Sequence, residues 1–464
     1  MEYTVTSMTT PADPPLHLTG NNAPVGDEAN VTDFQVIGNI PTFLAGTFYR
    51  NGPNPRTGWS AHLFAGDGMI HALEITDGHA VRYWNRYVRT PLYERPGVAR
   101  LELAFDRATS TIDYRVSTAN TSVIVHEGRL LALEEGGLPY EVTRELDTVG
   151  PFAFGQQLRS PMTAHPKRCP VTGDLLFFGY QLIRPHLIFY RWRRGQTQLD
   201  AAPIDLAVPT MMHDFAITES NVVFLDSPIV FDRLGASRGG SPWRWDDDHP
   251  ARFGVMPRKS TAAEIRWFEV EPGHVSHVAN ACDLSGGGIE ITGTRQPRSR
   301  EEALREVGGV GAGLPVMHRW TVDLDRGTTT EAQLDDQSTE YPRINENRTG
   351  LPNRFVYATT FALQAVPDRS EILRYDLVSG SVARHRFRRG QTCGEPVFVS
   401  RAPSGAEDEG VLLSWVHDRR TGTSHVVILD AGDVAAAPLA EIHVPKRVPN
   451  GFHGAWVAHD VAQR

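Results

Sequence analysis

Four histidines stand out among the 18 in the chain by the company they keep. His165 in TAHPKRCPVTGD, His213 in MMHDFAIT, His277 in SHVANA and His453 in GFHGAW each sit among small or apolar residues beside a strand-like run. Burying an imidazole in such a setting requires a hydrogen-bond partner or a metal. Four imidazoles meeting at one point would make an all-nitrogen site suited to a divalent first-row metal. These positions span about 290 residues, unlike a local metal motif such as HExxH. Four unrelated core histidines are therefore the competing reading until an element arrangement brings them together. His274 and His277 in EPGHVSHVANACD pose a further question: an odd separation in a strand sends two side chains to opposite faces, so only one can reach a common metal.

The elements that must position these residues read as strands. Short runs rich in β-branched and aromatic residues recur: LLAL (130–133), LLFFGY (175–180), LIFYRW (187–192), VVFLDSPIVF (222–231) and HVVILD (425–430). Their length and polar punctuation favour strands over helices. Compact turns at Gly78, Gly128, Gly173, Gly327 and Gly380 suggest antiparallel hairpins. The first three glycines are 50 and 45 residues apart and the last two 53, close to the roughly 40–50 residues of a four-stranded propeller blade. Seven blades would use most of the chain, and the innermost strands of a propeller converge on one axis, which would bring distant histidines together. The best helical stretch is RSREEALREVGG (298–309), with Ser299 as N-cap. The expected architecture is an all-β, seven-bladed β-propeller forming one domain over 1–464, with residues 1–45 as an N-terminal arm along the body.

Composition narrows the function. The net charge of −9 is spread along the chain, and no acidic run exceeds three residues, as at Asp246–Asp248, so nucleic acid is not an expected partner. All but three of the 46 basic residues are arginines, the lysines being Lys167, Lys259 and Lys446, which leaves few candidates for Schiff-base chemistry. Cys169, Cys282 and Cys393 are odd in number and lack a CxxC spacing, arguing against a disulfide framework or a thiolate zinc site. The opening stretch MEYTVTSMTTPADPPLHLTG has no basic start followed by an apolar run, and nowhere do 18 apolar residues occur in succession. A soluble, cytoplasmic protein is expected.

The landmarks YRNGPNP (49–55), HLFAGDGMIHAL (62–73), ANTSVIVHEGRLLALEEGGLPYEV (119–142), TAHPKRCPVTGDLLFFGY (163–180), MMHDFAIT, SHVANA, EYPRIN (340–345), GEPVFV (394–399) and GFHG (451–454) together resemble the carotenoid cleavage oxygenase family over nearly the whole chain. That resemblance implies a seven-bladed propeller with a small helical and loop cap over the metal-bearing face. It implies a non-haem Fe(II) dioxygenase that uses O2 to cleave a conjugated C=C bond into two carbonyl products. The iron ligands would be His165, His213, His277 and His453, and His274 would be a loop or outward-facing residue. Glu135, Glu340 and Glu395 match the family's carboxylates that accept the ligands' other N–H groups and fix ring angle and tautomer. Thr121 matches a side chain that limits access to an open coordination position, and Phe64 is expected near the substrate.

Several positions depart from the family pattern. Lignostilbene-cleaving members carry a lysine where this chain has Glu134, and a tyrosine in a YRNP stretch that is missing between Arg100 and Ala119. An acid at 134 would repel a phenolate, which favours a carotenoid or apocarotenoid; a stilbene or phenylpropenoid alkene is the alternative. Ser276 stands where the family usually has an aromatic residue, Cys282 and Asp283 replace an aromatic–acid pair, and Ala65 stands where an acid is common. Smaller residues there would widen the pocket. An apolar substrate is compatible with peripheral membrane contact, and the oligomeric state is left open. A reading from another class is a non-catalytic propeller binding a hydrophobic ligand; it predicts that a ligand or one of the three glutamates is lost, and none is.

Overall fold

The computed structural model describes residues 14–237, 242–259, 264–296, 314–361 and 368–459. Strands dominate, and the few helices are one or two turns long. The expected helix at 298–309 lies outside the described residues. Among the described residues the strands form separate antiparallel sheets, six of them with four to seven strands, plus two small two-stranded ones.

The apolar runs become the middle strands of these sheets. Leu175–Tyr180 pairs with Leu187–Trp192 without interruption, and Phe177, Phe178, Leu176 and Leu187 are wholly buried. Each of the five turn glycines adopts a left-handed φ between 72° and 78°, a conformation that costs a residue with a Cβ far more than glycine. The run 222–231 is two strands rather than one: Asn221–Asp226 stays in its sheet, while Ile229–Phe231 leaves to pair with Trp243–Trp245. Pro228, between them, has no N–H to continue the ladder.

The two ends of the chain are clasped together. Gly46–Pro53 pairs with Gly454–Ala458, and Gln35–Gly38 pairs with Ala440–Val444. The described part of the N-terminal segment therefore lends edge strands to two sheets, since Asn30–Val31 also pairs with His79–Tyr87. Apolar clusters fill the spaces between neighbouring sheets. One, built on Leu176, Phe178, Phe215 and Phe224, joins the sheet holding Leu175–Tyr180 to that holding Asn221–Asp226.

Candidate metal centre

Each of the four histidines stands at or just ahead of an edge strand of a different sheet. His165 precedes Lys167–Arg168, His213 precedes Phe215–Ile217, His277 lies within His274–Asp283, and His453 directly precedes Gly454–Ala458. Their ligand atoms all lie within 4.8 Å of one another. His277 gets there through a β-bulge. The register jumps from Val275↔Arg295 to Val278↔Gly293, so Ser276 and His277 together oppose the single residue Thr294. Bulges re-aim side chains in this way.

The bulge also corrects the expectation for His274. Strict alternation would send it outward, but the extra residue breaks the alternation. His274 lies in the strand, not in a loop, and its Nδ1 is 3.3 Å from Ser227 Oγ. Burial lowers its pKa to about 4, helped by the nearby His213 and His277. It is not one of the four clustered imidazoles.

Three carboxylates brace three of the imidazoles. His213 Nδ1 donates to Glu135 Oε2 at 2.8 Å, His277 Nδ1 to Glu340 Oε2 at 2.6 Å and His453 Nδ1 to Glu395 Oε1 at 2.9 Å. With the Nδ1 protons so placed, the Nε2 atoms carry bare lone pairs. His213 Nε2 is nonetheless 3.3 Å from His277 Nε2 and 3.1 Å from His165 Nε2. Facing lone pairs repel unless a cation lies between them, and nitrogen ligands about 2.1 Å from one ion at right angles are about 3.0 Å apart. The donor set therefore fits a divalent metal.

The carboxylates are themselves held differently. Glu135 accepts the Tyr180 hydroxyl at 2.9 Å. Glu340 accepts the hydroxyl of Ser276, the Tyr341 N–H at 3.1 Å and the Thr294 hydroxyl at 3.3 Å. Glu395 accepts the Gly454 N–H at 2.7 Å and an ion pair from Arg343 at 3.1 Å. Burial by itself would raise all three pKa values. The facing histidine outweighs it at Glu135, His277 with Ser276 brings Glu340 to about 2, and Arg343 with His453 does the same for Glu395. Burial and the three facing imidazoles hold His165 well below the usual histidine range, which keeps it neutral for ligation. His213 moves the other way: burial lowers it, but Glu135 more than compensates. His213 and His277 keep 15% and 14% of their side-chain surface accessible.

The remaining expected residues fall around this centre. Thr121 is tied to it by backbone, its C=O accepting the His453 N–H at 3.1 Å, while its hydroxyl donates to Asn120 Oδ1 at 3.0 Å. Phe64 is 54% exposed, with its ring 5.3 Å from that of Phe452, the neighbour of His453. Glu134 is not a free acid: Arg100 grips it with two hydrogen bonds, at 2.5 and 3.1 Å. The repulsion of a phenolate expected at this position is therefore compensated. Of the departures, Ser276 reaches the centre through Glu340. Asp283 instead clamps the 218–221 turn, accepting from Thr218 Oγ1, the Ser220 N–H and Asn221 Nδ2. Cys282 is a buried free thiol whose pKa is pushed up to about 11 by burial, Glu290 and Asp283.

Sequence reading missed Tyr180, Arg343, Thr294 and Tyr341. Tyr180 and Arg343 end or sit inside stretches already singled out, LLFFGY and EYPRIN, but nothing in those stretches shows which carboxylate they meet. Tyr341 adopts a left-handed φ of 56° with its ring 5.5 Å from His277 and 5.4 Å from His453. Such strain in a bulky residue persists only where the surroundings enforce it.

Comparison with known proteins places this architecture. The sequence matches the family described as retinal pigment epithelial membrane protein over residues 22–458. It is 34% identical to a carotenoid cleavage oxygenase of Mycobacterium tuberculosis, over 95% of this chain and 97% of that protein. It is 32% identical to a carotenoid 9,10(9',10')-cleavage dioxygenase of Pisum sativum, over 96% and 90%. Among solved structures, lignostilbene dioxygenase from Pseudomonas brassicacearum superposes with a TM-score of 0.85 at 28% identity, covering 97% of this chain and 100% of that one. Cobalt-substituted apocarotenoid oxygenase from Synechocystis gives 0.79 at 27% identity, covering 94% and 97%. With its nearly all-β fold and its four clustered imidazoles, the chain belongs to the carotenoid cleavage oxygenase family and is an oxygenase that incorporates O2.

Proposed function

We propose that this oxygenase is an Fe(II)-dependent dioxygenase that cleaves a conjugated C=C bond of a carotenoid or apocarotenoid. One atom of O2 ends on each of two carbonyl products, and the alkene supplies all four electrons. The observation that carries the reading is the four-imidazole cluster with a carboxylate on three of its Nδ1–H groups. His165, His213, His277 and His453 would hold the iron, whose chemistry would be the binding and activation of O2. Four neutral ligands leave the metal's 2+ charge uncompensated, and Glu135, Glu340 and Glu395 offset it from one layer out.

The other residues have supporting parts. Thr121, tied to His453, would restrict the open coordination side, and Phe64 beside Phe452 would meet the apolar substrate. The fold is read as one domain of seven blades. The short helices Pro91–Glu94 and Arg100–Ala104 and the hairpin Ile229–Phe231/Trp243–Trp245 would form the cap. Three unpaired cysteines fit a reducing cytoplasm. No helix among the described residues is long and apolar enough to cross a membrane. Peripheral contact at the substrate entrance is compatible with this reading.

Cleavage of a stilbene is the second reading. The likeness to lignostilbene dioxygenase and the neutralisation of Glu134 by Arg100 favour it. The carotenoid reading rests on the names of the relatives at 32–34% identity. Incubating the iron-loaded protein with apocarotenals and with stilbenes, and identifying aldehydes by mass spectrometry, separates the two. Iron uptake below about 0.1 equivalent after anaerobic loading overturns both.

A further inference from the structure

One carboxylate touches three of the four histidine-bearing segments. Asp214 follows His213, and its Oδ1 is 2.7 Å from Nζ of Lys167, two residues after His165. Its Oδ2 accepts the N–H of Val278, next to His277, at 2.8 Å, and Oδ1 also takes the Phe215 N–H at 2.7 Å. The Asp214 side chain is 2% accessible and that of Lys167 18%. Lys167, one of three lysines in the chain, packs its ammonium 5.8 Å from the centre of the Phe215 ring.

The three segments belong to different sheets, and no backbone ladder joins them. The Val278 amide lies where the ladder of its strand shifts register twice, on either side of that residue. A backbone N–H beside a bulge needs an acceptor from elsewhere, and Asp214 supplies it. Asp214 thus stabilises the bulge that turns His277 inward while holding Lys167 beside His165. A second tie runs through Thr163, whose Oγ1 accepts the His165 N–H at 3.1 Å and donates to the His213 carbonyl at 3.3 Å.

We propose that Asp214 and Lys167 are positioning residues that set the mutual spacing of His165, His213 and His277. His453 lies outside this staple and is placed by Glu395. The inference rests on the reading that the four imidazoles hold a metal. Loss of the carboxylate frees three segments to move relative to one another, and ligands must keep their angles closely for tight metal binding.

The test is anaerobic titration of the full-length, metal-free chain with Co(II), followed by affinity and by the visible d–d bands. Asp214→Ala should weaken Co(II) binding about 10- to 100-fold and alter the bands, which a mere loss of fold stability leaves unchanged in the folded, loaded fraction. Lys167→Met should give a smaller loss in the same direction, Lys167→Arg should restore it, and adding Lys167→Met to Asp214→Ala should cost nothing more. If Asp214→Ala does not fold, the Lys167 pair of variants carries the test. Wild-type affinity and bands in folded Asp214→Ala, or in Lys167→Met, overturn the proposal. A wild-type chain that takes up no Co(II) overturns the metal reading, and the staple with it.

Discussion

The His453 arm and the His213 arm of the centre do the same job with different chemistry. Glu395 faces a cation, Arg343, and a backbone N–H, and its side chain is 3% accessible. Glu135 is steadied by a neutral hydroxyl, that of Tyr180, and keeps 24% of its surface accessible. A carboxylate compensated by a guanidinium has less charge left to lend its imidazole than one compensated by a phenol. The two arms therefore stiffen the centre to similar degrees but polarise it unequally. Removing their partners should have unequal consequences for stability.

The largest effect removes the ligand that stands outside both arms: His277→Ala should abolish stoichiometric metal uptake, measured by elemental analysis after anaerobic loading, because three imidazoles lose the geometry that four define. The arms themselves separate at the next level. Glu395→Gln should weaken metal binding about 10- to 100-fold and also destabilise the metal-free chain by up to about 3 kcal/mol, since Arg343 loses its buried partner and keeps the exposed Glu346. Glu135→Gln should show a similar loss of metal affinity with little change in urea unfolding. Equal destabilisation by the two would erase the distinction drawn between them.

A change of pH should act on fold stability rather than on one arm. His126, His274, His318 and His425 all have pKa values lowered to about 4 by burial from an ordinary 6.5. Between those values the unfolded chain binds more protons than the folded one, so stability rises with pH across that window. The metal-free chain should lose urea resistance steadily as pH falls from 6.5 towards 4. The depressed carboxylates Glu340 and Glu395 add a further loss below their ordinary 4.5, as pH falls towards 2. A flat profile from pH 7 to 5 would show that these imidazoles are not buried neutral. The smallest change is Tyr180→Phe, which removes one hydrogen bond to a partly accessible carboxylate and should lower stability by about 0.5–1.5 kcal/mol. Its effect on metal affinity should be smaller than that of Glu135→Gln.

The hairpins were readable because they are local. Leu175–Tyr180 and Leu187–Trp192 fall where their apolar runs begin and end, and the five turn glycines adopt the left-handed backbone that their residue type permits. The run at 222–231 was readable only in part, because the choice made after Pro228, to leave the sheet and pair with Trp243–Trp245, depends on a partner strand 14 residues or so further on. His274 was misplaced for a related reason. Parity along a strand predicts faces correctly until a bulge intervenes, and the bulge at Ser276 and His277 depends on the opposite strand and on Asp214.

Ser276 shows the same division at a single residue. By type it was only a small side chain where a larger one is usual; in the folded chain its hydroxyl donates to the carboxylate that braces His277. Glu134 reads as an acid that would repel a phenolate until Arg100, 34 residues earlier, neutralises it. Residue type and order alone pointed to the β architecture and singled out four histidines in apolar company, since backbone preference and donor chemistry are properties of the residues themselves; the three glutamates were named only through the family resemblance. Tertiary structure alone decided which hydroxyl, guanidinium or ammonium compensates each carboxylate. Such pairings depend on distances of about 3 Å between segments tens to hundreds of residues apart, and those distances exist only once the sheets have packed.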